Sequence, residues 1–277
     1  MNHLLRDLAP INEDAWASIE DEAKTRLTTL LAARKLVDFD GPHGWSHSAT
    51  NLGRDEAVAP PAGGIEARQR RVLPLVELRV PFSLSRGEVD DAARGATDLD
   101  WSGLEEAAVR IAEAENAAVF NGYERAGMVG IGGASSHPPI PVGDFDSYPT
   151  AVAMAVNTLR TAGIGGPFGL AISPTGYTGI IETTEHGGYL LLDHLHQILD
   201  GPVVWTPGID DAVVLSLRGG DFTFDSGQDL SIGYLSHDEA TVRLYLEESF
   251  SFRVTEPDAA VALRPARGGQ KRGSRSR

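Results

Sequence analysis

The chain has 277 residues, a formal net charge of −15, 42% hydrophobic residues and 23% charged residues. This composition is ordinary for a soluble globular protein of one or two domains. The absence of cysteine excludes disulfides, thiolate metal sites and cysteine nucleophiles. No apolar run approaches the roughly 18 residues that span a bilayer, and polar residues such as His3 and Arg6 interrupt any signal-peptide core. We therefore expect a cytoplasmic protein.

The charge is unevenly distributed along the chain. The last fourteen residues, RPARGGQKRGSRSR, carry six positive charges and no acid, and subtracting these six from −15 leaves −21 on residues 1–263. Such an acidic body repels nucleic acid and anionic membranes, so neither is an expected partner. Residues 264–277 are predicted to be a disordered basic tail, although they could also bind a polyanion or an acidic neighbouring surface.

The first predicted helix covers residues 13–35. Asn12 is at its N-cap, and the acids Glu13 and Asp14 favour the positive end of the helix dipole. The apolar stripe recurs at helical spacing. It consists of Trp16, Ile19, Ala23, Leu27 and either Leu30 or Leu31.

Residues 38–70 predict a long two-stranded arm. Pro60-Pro61 and Gly63-Gly64 interrupt its middle, and extended stretches lie on each side. A lone hairpin is marginally stable in water, so such an arm implies a neighbouring subunit.

The next segments alternate between short and long elements. Residues 76–84 predict a strand, and Ser85 with Glu88 predicts a capping box that opens a short helix. Residues 101–126 predict a helix about 39 Å long. Glycine and proline over residues 127–149 indicate a crossing between two subdomains.

The remaining segments predict an inserted subdomain and a return to the first. Residues 150–218 contain helical segments at 151–161 and up to 199, and strands at 168–172, 203–206 and 212–217. Residues 229–234, a long strand ending at 254 and residues 259–263 are expected to rejoin the first subdomain. In the long strand, residues 242–254 alternate between apolar and polar, which predicts a half-buried strand whose apolar face is broken by Glu248.

Three segments in this order resemble the encapsulin shell proteins over residues 1–263. They are MNHLLRDLAPINEDAWASIEDEA, VELRVPFSLSRGEVDD and GQDLSIGYLSHDEATVRLYLEESFSFRV. Encapsulins are bacterial nanocompartment subunits with the α+β fold of tailed-phage major capsid proteins, the HK97 type. The resemblance implies an N-terminal helix and the start of a peripheral domain (1–45), an extended loop (46–72), the peripheral domain with its spine helix (73–130), an axial domain (131–220), a return to the peripheral domain (221–263) and a tail outside the family pattern (264–277).

The resemblance also implies a function. The subunit would assemble into a closed icosahedral shell of sixty copies or a multiple, with no catalytic activity and no cofactor. The shell would hold a cargo enzyme, a dye-decolourising peroxidase or a ferritin-like protein, through the cargo's C-terminal targeting peptide, in oxidative-stress defence or iron storage. Two alternatives remain: a bacteriocin or protease activity, and a phage major capsid protein that packages DNA.

A cargo-binding groove is implied at the first helix and the strand at 229–234. The matching positions are Leu27, Leu31, Arg34, Asp38, Ile232 and Tyr234. Aliphatic side chains would accept apolar peptide anchors, while Arg34 and Asp38 would fix the register of the peptide. Alternatively, this stripe is buried core, and Arg34 and Asp38 form an ion pair at the end of the helix.

A pore loop is implied near the five-fold axis. It consists of Glu185, His186, Gly187, Gly188 and Tyr189. A ring of acids attracts small cations, and a histidine there would make the charge of the ring sensitive to pH. The alternative is an ordinary surface loop.

No other motif predicts chemistry. In Asp193-His194-Leu195-His196 the two histidines lie about 200° apart on a helix, which is unsuitable for one metal ion. Ser236-His237-Asp238 is typical of a turn rather than a catalytic triad. Residues 127–133 are rich in glycine but follow a helix, unlike a dinucleotide-binding loop. We therefore expect no catalytic residue and no metal ligand.

Overall fold

The structure, a computed structural model, describes residues 3–183 and 190–266. The helices are α1 (Glu13–Leu30), α2 (Arg86–Ala93), α3 (Ser102–Phe120), α4 (Ile131–Ala134), α5 (Tyr148–Thr161), α6 (Pro174–Glu182) and α7 (Leu191–Leu199). The strands are β1 (Asp38–Asp40), β2 (Ala49–Val58), β3 (Ala67–Pro74), β4 (Val76–Ser85), β5 (Ile140–Val142), β6 (Phe168–Ile172), β7 (Val203–Trp205), β8 (Ala212–Ser216), β9 (Phe222–Ser226), β10 (Ser231–His237), β11 (Thr241–Val254) and β12 (Ala260–Pro265).

Two five-stranded sheets and one hairpin organise these elements. In the first sheet, β11 pairs with β4, β10 and β9, and β1 extends the sheet beyond β9. The second sheet has the order β5-β12-β8-β6-β7. Helices α1 and α3 pack with β4, β10 and β11 around one apolar core. The second sheet packs with α5 and α7 around another.

The N-cap of α1 is as predicted, but the helix ends five residues early. The Asn12 side chain accepts a hydrogen bond from the Ala15 amide at 2.9 Å. At the other end, the buried Asn116 donates its side-chain amide to the Leu30 carbonyl oxygen and accepts from the Ala33 amide, each at 2.9 Å. These bonds replace the helical pattern, so the prediction of one helix over residues 13–35 is wrong. A 3₁₀ turn, Ala33–Lys35, follows instead.

Helix α3 is also shorter than predicted, with 19 residues and a length of about 28 Å. The chain turns at Gly122, where φ is +94° and a Cβ would lie 2.7 Å from the Gly130 amide nitrogen. The predicted capping box of α2 is half formed. Ser85 accepts from the Gly87 amide at 3.2 Å, but Glu88 accepts from the Asp100 amide at 2.9 Å.

Strand β11 is buried on both faces over much of its length. Tyr245, Glu247 and Ser251, expected on the exposed face, are each no more than 3% exposed. The Arg79 guanidinium lies 4.2 Å from the centre of the Tyr245 ring and pairs with Glu247, and His3 lies 3.4 Å from the same carboxylate. The half-buried prediction fails because neighbouring side chains cover the polar face.

The last strand belongs to the second sheet. The sequence placed residues 259–263 with the first subdomain, but β12 pairs antiparallel with β8 and parallel with β5. Residues 260–263 are all buried, as suits a strand with a neighbour on each side. The C-terminal end of the described chain therefore returns to the inserted subdomain.

The predicted two-stranded arm is confirmed. Strands β2 and β3 pair antiparallel from Ala49 opposite Pro74 to Val58 opposite Ala67, with an irregularity between Asn51 and Arg54. Most residues of both strands are exposed. The arm therefore projects from the body without a hydrophobic face of its own to bury.

Candidate functional site

A groove of about 390 Å³ lies between α1, β10 and the N-terminal segment. Its apolar residues are Leu4, Ala23, Leu27, Leu31, Leu230, Ile232 and Leu246. Its polar residues are Arg6, Glu20, Lys24, Thr28, Arg34, Asp229 and Ser231. An apolar floor with a polar rim is the usual composition of a site that binds a peptide or a small molecule.

The structure brings four of the six predicted groove residues together. Leu27, Leu31, Arg34 and Ile232 all line the groove. They do so although Leu31 lies beyond the end of α1, because the chain after α1 continues along the same groove.

The other two predicted residues, Asp38 and Tyr234, do not line it. Asp38 lies on β1, and its carboxylate accepts from the Gly220 amide at 2.6 Å. The Tyr234 hydroxyl lies 2.5 Å from Nδ1 of His237, while its amide donates to the Leu4 carbonyl oxygen at 2.8 Å. Tyr234 thus holds the N-terminal segment beside the groove through its backbone.

Arg34 forms ion pairs with three carboxylates. Asp38, its partner in the alternative interpretation of the sequence, is not one of them. The Arg34 guanidinium contacts Glu115, Asp229 and Glu248 at 2.7 to 2.9 Å. Burial lowers the pKa of Arg34, but the neighbouring carboxylates outweigh burial and hold this pKa above its ordinary value. Of the three acids, Glu115 and Glu248 are fully buried, whereas the Asp229 side chain is 45% exposed and borders the groove.

Sequence reasoning missed several groove residues. The N-terminal segment contributes Leu4 and Arg6, and Arg6 is held by Glu20 at 2.5 Å and by the Trp16 ring at 4.1 Å. No local signal places this segment over the groove. Lys24 and Thr28 were detectable, because Lys24 lies three residues before Leu27 and four residues before Thr28 on the same helix, and these spacings place side chains on one face.

The remaining sequence motifs have structural roles or lie outside the described residues. Glu185, His186, Gly187, Gly188 and Tyr189 are outside the described residues. Asp238 accepts from the amides of Ala240 and Thr241 at 2.8 Å, and these bonds lower its pKa. Asp238 therefore stabilises a turn, as predicted.

One group of side chains in residues 3–183 and 190–266 has the arrangement of metal ligands. It consists of His43, His47 and Asp225 and lies outside the groove. No metal ligand was expected from the sequence, in which the four-residue spacing of His43 and His47 is the local signal for this group. Among the helices of these same residues, none is both long and apolar enough to cross a membrane.

Comparison with known proteins identifies the family. The family model Linocin_M18, described as encapsulating protein for peroxidase, matches residues 1–251. The chain is 48% identical to a type 1 encapsulin shell protein of Rhodospirillum rubrum, over 95% of this chain and 97% of that protein. It is 44% identical to a type 1 encapsulin shell protein of Mycobacterium tuberculosis, over 95% of this chain and 99% of that protein.

Solved structures agree on the fold. A virus-like particle from Pyrococcus furiosus matches with a TM-score of 0.60 and 20% identity, over 90% of this chain and 98% of that one. The capsid of an empty GTA particle matches with a TM-score of 0.54 and 16% identity, over 85% and 90%. The fold is the α+β fold of HK97-type capsid proteins. The chain belongs to the Linocin_M18 family of encapsulin shell proteins.

Proposed function

We propose that this chain is the subunit of a closed icosahedral compartment and that its groove binds the C-terminal targeting peptide of a cargo enzyme. The observation that carries the proposal is the groove whose apolar floor includes Leu27, Leu31 and Ile232, each a core residue no more than 8% exposed, at positions where the family resemblance implies peptide binding. Its volume of about 390 Å³ falls within the usual range of ligand pockets, about 300–1,000 Å³.

The lining favours a peptide with aliphatic anchors. Leu27, Leu31, Ile232 and Leu246 form the apolar surface on which such anchors would pack. The register of the peptide would be set by exposed polar groups, for which Lys24 and the Asp229 carboxylate are available on the rim. Asp229 would thus fix the register of the peptide, which is the role expected of Asp38. Arg34 holds the Asp229 carboxylate in place through their ion pair.

The hairpin arm supports assembly. Strands β2 and β3 are exposed over most of their length, and an isolated hairpin is marginally stable in water. A neighbouring subunit that covers the arm would remove this instability. Repetition of one such heterologous contact produces a ring when the geometry closes, and further contacts between rings would close an icosahedral shell of sixty copies or a multiple.

A peroxidase is the favoured cargo. The description of the matching family names a peroxidase. We propose that the cargo is a dye-decolourising peroxidase. A ferritin-like cargo is the second candidate, because one relative is a ferritin-like-encapsulin shell fusion protein from Pyrococcus furiosus, 28% identical over 43% of this chain. The shell itself would supply no chemistry. It would confine the enzyme in the cytoplasm, in oxidative-stress defence or, with the second cargo, in iron storage.

A protease activity is less well supported. The one triad-like sequence, Ser236-His237-Asp238, leaves Asp238 occupied by two backbone amides and His237 beside the Tyr234 hydroxyl. Neither contact orients a base toward Ser236.

The groove is tested by Thr28→Tyr, with Thr25→Tyr as the matched control. Both threonines are exposed on α1, but only Thr28 lines the groove. We expect both variants to form particles. A tyrosine at position 28 would occupy the peptide's place and reduce captured peroxidase at least about tenfold, equivalent to about 1.4 kcal/mol of binding. The measurement is the cargo-to-shell ratio of co-expressed, purified particles, with electron microscopy to confirm the shells.

Two results would contradict the proposal in distinguishable ways. Normal cargo loading in Thr28→Tyr particles would remove the groove as the binding site while leaving the shell. A wild-type chain that stayed a compact monomer, with no particles in the microscope, would remove the shell itself.

A further inference from the structure

A cluster of two histidines and one aspartate lies where the hairpin arm leaves the body. His43 and His47 belong to the connection between β1 and β2, and Asp225 lies on β9. One potential ligand atom from each residue lies within 4.8 Å of the other two. Oδ1 of Asp225 is 3.2 Å from Nε2 of His47 and 3.7 Å from Nε2 of His43. We propose that His43, His47 and Asp225 bind a divalent transition-metal ion, with Zn²⁺ the best fit.

The distances fit a tetrahedral ion. Zn²⁺ bonds to histidine nitrogen and carboxylate oxygen at about 2.0–2.2 Å, so neighbouring ligands in a tetrahedron lie about 3.4 Å apart. The two separations from Asp225, 3.2 Å and 3.7 Å, lie on either side of this value. The His43 side chain is 40% exposed and can turn to shorten the remaining separation.

The backbone already holds the ligands together. The His43 amide donates to the Ser226 carbonyl oxygen at 2.9 Å, and the Gly44 amide donates to the Gly227 carbonyl oxygen at 2.7 Å. At Gly41, where φ is +126°, a Cβ would lie 2.5 Å from the Ser226 carbonyl oxygen. Only glycine permits this close approach. The histidine loop is thus attached to the strand that carries Asp225.

The carboxylate is oriented by a second contact, as metal ligands usually are. Oδ2 of Asp225 accepts from the Thr50 hydroxyl at 2.6 Å, which leaves Oδ1 directed at the histidines. Thr50 also contacts the Ser251 hydroxyl. Asp225 is 5% exposed, so its charge requires a compensating partner, which a bound cation would supply.

The ligand set selects the class of metal. Two imidazoles and one carboxylate suit Zn²⁺ and its neighbours Co²⁺, Ni²⁺ and Cu²⁺, whereas Ca²⁺ and Mg²⁺ require oxygen ligands in larger number. A fourth position remains open to water or to Asp40, whose carboxylate lies 3.2 Å from Nε2 of His43 and whose side chain is 60% exposed. The negative net charge of the chain further favours a cation.

A metal ion at this location would affect how the arm is attached to the body. The ion would join the loop that precedes β2 to β9 of the first sheet, next to Thr50 near the start of the arm. It would restrict the angle at which the arm leaves the body. None of His43, His47 and Asp225 lines the peptide groove, so a peptide bound there would not compete for these ligands.

The test is Zn²⁺ titration of the untagged full-length chain by calorimetry after EDTA treatment and dialysis. We expect one Zn²⁺ per subunit. His43→Ala and His47→Ala should each weaken binding at least about 100-fold, because loss of even an outer-shell contact costs 10–100-fold. His237→Ala, at an exposed histidine on β10, is the matched control and should bind as the wild type does.

Co²⁺ provides an independent readout of the ligands. The wild type and His237→Ala should show the intense visible absorption of four-coordinate Co²⁺, and His43→Ala and His47→Ala should lose it. Because both substituted side chains are partly exposed, these variants should retain the wild-type far-ultraviolet circular dichroism. Unchanged Zn²⁺ affinity in either variant would overturn the proposal, and so would a wild-type chain that binds no Zn²⁺ at one per subunit.

Discussion

Arg34 stabilises two carboxylates that the fold buries beside each other. Glu115 and Glu248 are 0% and 1% exposed, and each contacts the same guanidinium. Within residues 3–183 and 190–266, one oxygen of each carboxylate has no hydrogen-bond partner. Two buried acids that share one cation are unfavourable when both are ionised, because desolvation penalises the charged forms. Arg34 also contacts Asp229, and both residues line the groove. The cluster therefore maintains the position of Asp229 on the rim.

The protonation of Glu248 gives a prediction about pH. Burial, and then the charge of Glu115, raise the pKa of Glu248 well above its ordinary value of 4.5, against the opposing effect of Arg34. A carboxyl group whose folded-state pKa is raised stabilises the fold fully below its unfolded pKa and loses that contribution as pH rises through the folded pKa. Glu248→Gln should therefore raise stability near neutral pH, by about 1–3 kcal/mol. The difference in stability between Glu248→Gln and the wild type should disappear as pH falls toward 4.5.

The measurement is the thermal unfolding midpoint against pH, with the oligomeric state held constant. Glu239→Gln is the control, because Glu239 is exposed in a turn and its substitution should change the midpoint little. A lower midpoint for Glu248→Gln than for the wild type at neutral pH would show that the Glu248 charge stabilises the cluster.

At the scale of elements, the arm and the body are separable. Strands β2 and β3 pair with each other, whereas β4 continues from β3 into the first sheet. Asn51 lies opposite Val72 near the base of the arm. A two-residue Asn-Gly turn forms the tight connection that antiparallel strands prefer, so this pair is a suitable place to close a shortened hairpin.

Replacement of residues 52–71 by Asn-Gly should leave a folded body that does not assemble. The body retains both of its apolar cores, while the surface offered to a neighbouring subunit is removed. Cooperative thermal unfolding by circular dichroism checks the fold, and light scattering with electron microscopy checks assembly. Shells of wild-type size from the shortened chain would refute the role of the arm.

For the whole molecule, the similar proteins are of two kinds, capsid proteins and encapsulin shell proteins. The structural likeness to the GTA capsid is at 16% identity and concerns the fold alone. The relatives at 42–48% identity are encapsulin shell proteins. A net charge of −15 opposes the enclosure of nucleic acid, since its phosphates are also negative.

Purified particles should therefore contain no enclosed nucleic acid. After nuclease treatment and a high-salt wash, we expect the 260-to-280 nm absorbance ratio of protein alone. The nuclease and salt steps remove any nucleic acid that is bound to the outer surface of the particles. A nuclease-protected nucleic acid released only on denaturation would instead indicate a capsid protein that packages a genome.

Local signals predicted much of the fold. The proline and glycine residues at 60–64 placed the tip of the arm, and residues 168–172 formed the expected strand. These elements follow from turn residues and from the period of apolar residues, which act over a few positions. Leu27 and Leu31 were placed in the groove through the family resemblance, and the structure brings them to Ile232.

The sequence by itself determined the family, the projecting arm and the apolar side of the groove, because each is encoded by neighbouring residues or by extended family segments. Only the tertiary structure decided where α1 ends, which sheet receives β12 and which acids bind Arg34. It also brought His47 to Asp225, 178 positions away. These features depend on hydrogen bonds and ion pairs between distant segments, such as the 81 positions from Arg34 to Glu115 and the 214 to Glu248. No local periodicity records such pairings, because they form only when the chain has folded.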